Sequence, residues 1–246
     1  MRADLSADAA LATIIAADTR TPANVARDAY RHPGETLSFF GVRPSDTVVE
    51  VWPGGGWYTE ILAPYLAPQG RYYAVASERG LNGARTLMTA NPGLYGAVNL
   101  AAFPAGPSDT RVPDASADVV LTFRNVHNWM MGDSPFADSA FAQMFAMLKP
   151  GGTLGVVDHR LPESADSARE RSSGYLKVST VRHLAEQAGF EFVGASEINA
   201  NPRDTTDHAN GVWSLPPTYR GKDVDRARYE AIGESDRITL KFRKPG

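Results

Sequence analysis

The chain has 246 residues, enough to bury a sizeable core in one large domain or two small ones. Its 43% hydrophobic and 22% charged residues are typical of a soluble globular protein. The formal net charge of −3 argues against a dedicated nucleic-acid binder, which needs clustered Lys and Arg. Cysteine is absent, which excludes disulfides, thiolate metal sites and a cysteine nucleophile.

No apolar run approaches the ~20 residues of a membrane-spanning helix. Asp4 and Asp8 interrupt the apolar region that a signal peptide would need. We therefore expect no membrane partner and no nucleic-acid partner. The expected location is cytoplasmic, unless an export signal has been removed.

Residues 1–42 are predicted to form helices ahead of the first strand. The Ala-rich residues 3–17 are typical of one helix, and Thr21 followed by proline indicates the start of a second. Arg31 and His32 lie near the end of that second helix. They either interact with its macrodipole or contribute to a pocket.

Residues 47–51 are a β-branched run, which predicts a strand buried on both faces of a parallel sheet. Gly54, Gly55 and Gly56 follow it, and a helical pattern then begins. Strand, glycine turn and helix form the first half of a Rossmann-like unit, where missing Cβ atoms let a ligand approach the backbone. The glycines depart from the dinucleotide pattern G-x-G-x-x-G, and Glu50 would repel a pyrophosphate but suit a cationic ligand.

The rest of the chain alternates between strand and helix patterns. Further strands are predicted at residues 71–76, 97–103, 117–123, 153–158, 190–198 and 236–243. Helices are predicted at residues 57–66, 81–90, 135–148 and 179–188. Residues 199–235 have little periodicity, and such a long loop in a compact domain is usually functional. We interpret them as a lid that carries Trp213 and Tyr219, or alternatively as a docking surface for a second subunit.

Arg124, Asn125, His127, Asn128 and Trp129 directly follow the strand predicted at 117–123. In open α/β sheets, ligands bind beyond the carboxyl ends of the strands, and polar groups are costly to bury without partners. We therefore expect this run to face a cleft; the alternative is an exposed loop. His127 is the best candidate general base in the chain, because an unperturbed imidazole titrates near pH ~6.5. The ring of Trp129 offers a flat face to a sulfonium or an aromatic substrate.

Asp158 and His159 end the fifth predicted strand at the same sheet edge. Together with His127 and His208 they could form a His/Asp metal site. No spacing enforces that arrangement, so we predict no metal.

Two motifs resemble those of the class I S-adenosylmethionine (SAM) dependent methyltransferases. Motif I of that family reads (D/E)-x-G-x-G-x-G, and here it runs from Glu50 to Gly56 with Trp52 in place of the first glycine. About a hundred residues later, LKPGGTL at 148–154 is similar to the family's L-(K/R)-P-G-G-x-L. Together with RNVHNW and DRITLKFRKP, these motifs resemble an uncharacterised branch of predicted small-molecule methyltransferases.

The resemblance covers residues 46–243 and implies an α/β fold. The expected architecture is a Rossmann-like seven-stranded sheet, six strands parallel and the last antiparallel, with helices on both faces. Residues 43–246 would form the methyltransferase domain, with 199–235 as its lid-like insertion and residues 1–42 as helices covering its pocket. The implied activity is methyl transfer from SAM to an O or N nucleophile of a small molecule, and a homodimer is compatible with it.

The resemblance also assigns roles to residues. The implied cofactor-binding residues are Glu50, Gly54, Gly55, Gly56, Tyr58, Glu78 and Arg124. Glu78 would replace the ribose-binding acid, because the expected position falls at Ala76. The implied catalytic residues are His127 as base, supported by Asn125 and Asn128, with Asp158 and His159 as second choices. The implied substrate-binding residues are Tyr30, His32, Trp129, Trp213 and Tyr219.

Two other classes of protein stay open. One binds SAM without methyl transfer, or uses it for different chemistry; Trp52 and Ala76 keep this alternative open. The other is an NAD(P)-linked oxidoreductase, which the contiguous glycines and Glu50 disfavour.

Overall fold

A computed structural model describes residues 9–246. Its strands are β1 (Thr47–Val51), β2 (Arg71–Ala76), β3 (Asn99–Ala102), β4 (Ala117–Phe123), β5 (Leu148–His159), β6 (Glu191–Ser196) and β7 (Arg237–Arg243). They form one seven-stranded sheet in the order β3-β2-β1-β4-β5-β7-β6. Strands β1 to β5 pair in parallel, and β7 runs antiparallel to both β5 and β6. The predicted sheet, with its last strand antiparallel, is confirmed.

The helices cover both faces of this sheet. They are α1 (Ala9–Ile15), α2 (Pro22–Val25), α3 (Asp28–Arg31), α4 (Pro33–Phe40), α5 (Thr59–Leu66), α6 (Asn82–Ala90), α7 (Pro92–Tyr95), α8 (Val126–Met130), α9 (Ala137–Met147), α10 (Val178–Gln187) and α11 (Arg226–Ile232). Shorter 3-10 turns lie at Arg79–Leu81, Ser167–Arg171 and Gly211–Ser214. Within residues 9–246, no helix is long and apolar enough to cross a membrane.

Two apolar cores form because the central strands are buried on both faces. Helices α4 and α5 pack on one face through residues such as Phe40 and Ile61. Helices α9 and α10 pack on the other through residues such as Phe141 and Leu184. Alternate β1 residues contribute to the two cores, Val48 to the first and Val49 to the second. This two-sided burial explains the continuous apolar run in the sequence.

The helix predicted after Thr21 is interrupted, forming α2 and α3. The carbonyl of Asn24 accepts hydrogen bonds from the backbone N–H of Arg27 and from the indole Nε1 of Trp57. In a regular helix this carbonyl would instead accept a hydrogen bond from the backbone N–H of residue 28. The helix predicted over residues 3–17 is confirmed at Ala9–Ile15, and residues 3–8 lie outside the described part of the chain.

Two further expectations are corrected. The fifth strand, predicted at 153–158, begins already at Leu148, because Leu148 pairs with Ala117 and the backbones of Gly151 and Gly152 exchange hydrogen bonds with Lys244. Residues 199–235 contain a 3-10 turn and α11. The sequence signal for α11 was weak, because in this seven-residue helix only Tyr229 and Ile232 are buried.

Gly155 of β5 is a position where a side chain would disrupt the packing of α4. A Cβ atom there would lie 2.7 Å from Cγ of Phe40 and 2.8 Å from Cδ2 of Leu121. We expect Gly155→Ala to lower the free energy of unfolding, measured by urea denaturation, by ~1–3 kcal/mol through overpacking. The control is Gly194→Ala on β6, where nothing lies within 4 Å of the added atom. Equal stability of the two variants would contradict this packing.

Candidate active site

The carboxyl ends of β1, β4 and β5 meet at one edge of the sheet. Asn125, which follows β4, connects the end of β4 to the end of β1 through hydrogen bonds. Its side-chain Nδ2 lies 2.9 Å from the carbonyl oxygen of Val51, 3.3 Å from that of Trp52 and 3.1 Å from Oγ1 of Thr122. The amide nitrogen of Asn125 therefore fixes the site's backbone.

The glycine turn after β1 is open at two of its three glycines. Gly54 and Gly55 are exposed, and a Cβ atom on either would meet nothing within 4 Å. Gly54 also has a φ of +59°, which favours glycine. At Gly56 a Cβ atom would lie 2.6 Å from Cδ1 of Leu87 on α6, so this glycine serves packing. The backbone at Gly54 and Gly55 is thus accessible to a ligand.

Glu50 is buried and connects β1 to β2 and α5. Its Oε2 accepts a hydrogen bond from the hydroxyl of Tyr72 and lies 3.5 Å from Oγ1 of Thr59. Burial raises the pKa of the carboxyl to about 7, although the hydrogen bonds and the charge of Arg31 oppose the rise. A direct contact between Glu50 and SAM stays a prediction.

Trp52 occupies the position of the missing motif glycine, with a φ of 55°. Its ring lies 5.9 Å from the ring of Trp129 and 5.9 Å from that of Phe136, and its Nε1 donates to the carbonyl oxygen of Phe103 at 3.2 Å. Because Phe103 follows β3, the indole crosses the carboxyl end of β2. Trp129 is completely buried, so the expectation that it faces a substrate is wrong; it packs the core.

The end of β2 carries no buried acid. Ala76 is buried, while the side chain of Glu78 is 87% exposed and pairs with Arg85 at 2.7 Å. The contact between Glu78 and a ribose therefore stays a prediction. Tyr58, a further predicted cofactor residue, is buried with its ring stacked on Phe123 at 3.7 Å.

A buried His–Asp pair lies at the ends of β4 and β5. The Oδ1 atom of Asp158 lies 2.7 Å from Nδ1 of His127, and its Oδ2 accepts from the backbone N–H of His127 at 3.2 Å. The backbone N–H of His159 donates to Oδ1 at 2.8 Å. With the Nδ1 proton held by the carboxylate, Nε2 of His127 is left to accept a proton. Asn128, the other predicted supporting residue, is exposed and its amide lies 3.5 Å from the carbonyl oxygen of Arg124.

His159 lies beside this pair, its ring 5.1 Å from that of His127. Its Nδ1 lies 2.5 Å from Oγ of Ser235. Burial, followed by the nearby charges of His127 and Arg237, holds the pKa of His159 well below its usual range. His159 is therefore neutral at physiological pH.

His127, Asp158 and His159 could each offer a ligand atom to a metal, since these atoms lie within 4.8 Å of one another. Asp158, however, is already committed to three N–H donors, and the arginines that lower the pKa of His159 would oppose a cation. His208, the other metal candidate, instead pairs with Asp204 at 2.8 Å. The arrangement favours a hydrogen-bonded His–Asp pair over a metal centre.

Several arginines surround the carboxylate of Glu234, close to the His127–Asp158 pair. Nε of Arg27 lies 2.5 Å from its carboxylate, Nε of Arg31 lies 3.4 Å away, and Arg237 also pairs with it. Although burial alone would raise it, the charges of Arg237 and Arg31 hold the pKa of Glu234 well below its usual range. Sequence reasoning missed Glu234 and Arg237, because an acid and a base three residues apart before a strand give no distinctive signal.

The predicted substrate residues divide among three places. Tyr30 and Tyr219 line a cleft of about 740 Å³ that also reaches Glu234. Trp213 lies near the His–Asp pair, its ring 6.2 Å from that of His127. His32 lines a different cavity, of about 820 Å³, with apolar residues of α1.

Comparison with known proteins supports the fold. No family model matches the chain, and no curated protein sequence matches it. A SAM-dependent methyltransferase from Aquifex aeolicus superposes with a TM-score of 0.59 at 16% identity, over 95% of this chain and 97% of its own. A second, from Mesorhizobium loti, gives 0.53 at 14% identity over 85% and 96%. The [4+2]-cyclase SpnF gives 0.62 at 15% identity over 94% and 85%.

The chain has the class I SAM-dependent methyltransferase fold.

On this methyltransferase fold, the strand order reverses between β1 and β4, which is where ligands bind in open α/β sheets. The accessible backbone of Gly54 and Gly55 lies at that point. The glycine turn therefore offers accessible backbone to a ligand at the switch point, while Ala76 provides no ribose ligand, and binding of SAM there stays a prediction.

Glu50 makes the stability of the protein depend on pH. Its pKa is 4.5 in a model peptide and about 7 when folded, so the folded protein keeps a proton between these pH values that the unfolded chain has released. Stability should therefore fall as pH rises through this window, by up to ~3 kcal/mol at ~1.4 kcal/mol per pKa unit.

We expect Glu50→Gln, which can still accept the Tyr72 hydrogen bond, to abolish this loss. The melting temperature of the variant relative to the wild type should rise between pH 5 and pH 8, measured by circular dichroism. Parallel melting curves across that range would contradict the buried, protonated carboxyl.

Proposed function

We propose that this protein is a SAM-dependent methyltransferase that transfers a methyl group to an O or N nucleophile of a small molecule. An open glycine turn and a buried His–Asp pair lie at the same edge of a methyltransferase-type sheet. This juxtaposition supports the proposal, because methyl transfer to a poorly acidic nucleophile needs both a site for the cofactor and a group that can accept a proton.

Gly54 and Gly55 would hold the cofactor through their backbone, with Gly56 shaping the turn. SAM, when bound, supplies an activated methyl group on a sulfonium whose leaving group is a neutral thioether. Such a leaving group needs no acid, so much of the rate enhancement can come from positioning the nucleophile against the methyl group. A base is required only where the nucleophile must lose a proton.

His127 would be that base. Asp158 holds the Nδ1 proton, so Nε2 can accept the proton that leaves the O–H or N–H of the substrate. The negative charge of Asp158 then stabilises the imidazolium. Trp213 lies beside the imidazole and restricts where the substrate can lie.

We expect Gly55→Val to abolish SAM binding while leaving the fold intact. The added side chain enters open space, so stability should change by less than ~1 kcal/mol, but it would fill the cradle. The matched control is Gly194→Val on β6, which is equally unhindered. Calorimetric titration with SAM checks this; wild-type affinity in Gly55→Val would place the cofactor elsewhere.

We expect His127→Ala to reduce methyl transfer by ~10²–10⁴-fold, the usual contribution of a general base, with little change in SAM affinity. Transfer is measured as S-adenosylhomocysteine formation with an acceptor from a small-molecule screen. His183→Ala on α10, an exposed histidine, is the control. A comparable loss of SAM affinity and turnover would refute the role of His127.

A second candidate is a protein that binds SAM without transferring its methyl group. The indole of Trp52 across the end of β2 and the absence of an acid at Ala76 favour it. A structural neighbour named as a [4+2]-cyclase shows that the fold is found in a protein named for other chemistry. SAM affinity without S-adenosylhomocysteine formation across oxygen and nitrogen nucleophiles would support this candidate.

A further inference from the structure

We propose that Arg31, Arg124 and Arg237 form a binding site for a carboxylate group, and that the substrate carries this group. That the ligand is the substrate rests on the proposed function; the anion site itself does not. The three side chains line one narrow cleft beside the catalytic pair.

The arginines hold hydrogen-bond donors that no group in residues 9–246 satisfies. Nη2 of Arg31 and Nε of Arg237 are buried without a partner. The guanidinium of Arg124 makes no hydrogen bond or ion pair within the described chain; only its backbone is bonded. Arg31 is 6% exposed; its guanidinium makes one long hydrogen bond, to Glu234 at 3.4 Å, and lies 4.7 Å from the centre of the Trp57 ring. Buried donors of this kind normally have acceptors.

The charge of the cluster is also unbalanced. Arg27, Arg31 and Arg237 all pair with the carboxylate of Glu234, Asp158 is committed to His127, and Arg124 pairs with neither of these carboxylates. Burial and the neighbouring guanidinium charges lower the pKa of Arg124 to about 10 and that of Arg31 well below its usual range. A bound anion would relieve this repulsion.

The shape of the cleft favours a carboxylate over a phosphate. The stacked rings of Tyr58 and Phe123, 14° from parallel, form a flat wall. The free space between these side chains is about 10 Å³, roughly that of one water molecule, so the arginine side chains must move apart to admit even a carboxylate. A planar group with two oxygens matches the fork of a guanidinium, whereas a tetrahedral phosphate is larger.

The rest of the substrate has room on the far side of Glu234. Glu234 and Arg27 line the wider cleft of Tyr30 and Tyr219. On the side of Glu234 that faces the His–Asp pair, the charge of Arg124 interacts with that of Asp158. A carboxylate held by Arg124 would therefore bring an adjacent nucleophile towards His127.

Thermal unfolding without SAM tests the anion site. Wild type, Arg124→Met and Arg85→Met are compared in sodium acetate, sodium phosphate and sodium chloride at equal ionic strength. Methionine keeps the apolar stem at the same positive φ of 63°, and Arg85 is an exposed arginine paired with Glu78. Arg124→Lys, which keeps the charge but loses the fork, provides a second variant.

We expect acetate to raise the melting temperature of the wild type and of Arg85→Met saturably, by ~2–5 °C beyond chloride. Arg124→Met should be at least as stable as the wild type in chloride, because a repelling charge is gone, and should lose the acetate response. Arg124→Lys should retain only part of it.

Three results would overturn the proposal. They are equal effects of acetate and chloride on the wild type, a full acetate response in Arg124→Met, and a larger response to phosphate than to acetate. Because no SAM is present, failure here leaves the methyltransferase proposal standing, and loss of SAM binding would leave the anion site standing.

Discussion

The carboxylate of Asp158 is the group on which the arrangement of the site depends. It ends β5 completely buried, and it accepts hydrogen bonds from the ring and backbone of His127 and from the backbone of His159. A buried charge without such donors costs several kcal/mol, so the end of β5 and the start of α8 hold each other in place. The same contacts orient the imidazole and keep a negative charge next to Arg124.

Much of the fold could be predicted because the central strands are buried on both faces. β1 and β4 consist mostly of apolar and β-branched residues, and their predicted bounds are confirmed. The start of β5 could not be predicted, since it depends on backbone hydrogen bonds from Lys244, almost a hundred residues away in sequence. Helix α11 was missed because a helix that buries two residues has little periodicity.

The site was predictable only where its residues follow strands. His127 follows β4 and Asp158 lies at the end of β5, and parallel strands bring their carboxyl ends to one edge. Glu234 and Arg31 are 203 residues apart in sequence, and no local pattern links them. The sequence predicts that Trp129 faces a cleft, but α8 directs its side chain into the core, while its neighbour Asn128 faces solvent.

We propose that SAM lies on the glycine turn, within reach of the His–Asp pair, although Trp52 replaces a motif glycine. A crystal structure of the protein with S-adenosylhomocysteine would show where the cofactor binds. We predict ligand density along the backbone of Gly54 and Gly55, with the thioether sulfur on the side of His127. Density elsewhere on the protein, or none at a saturating ligand concentration, would contradict it.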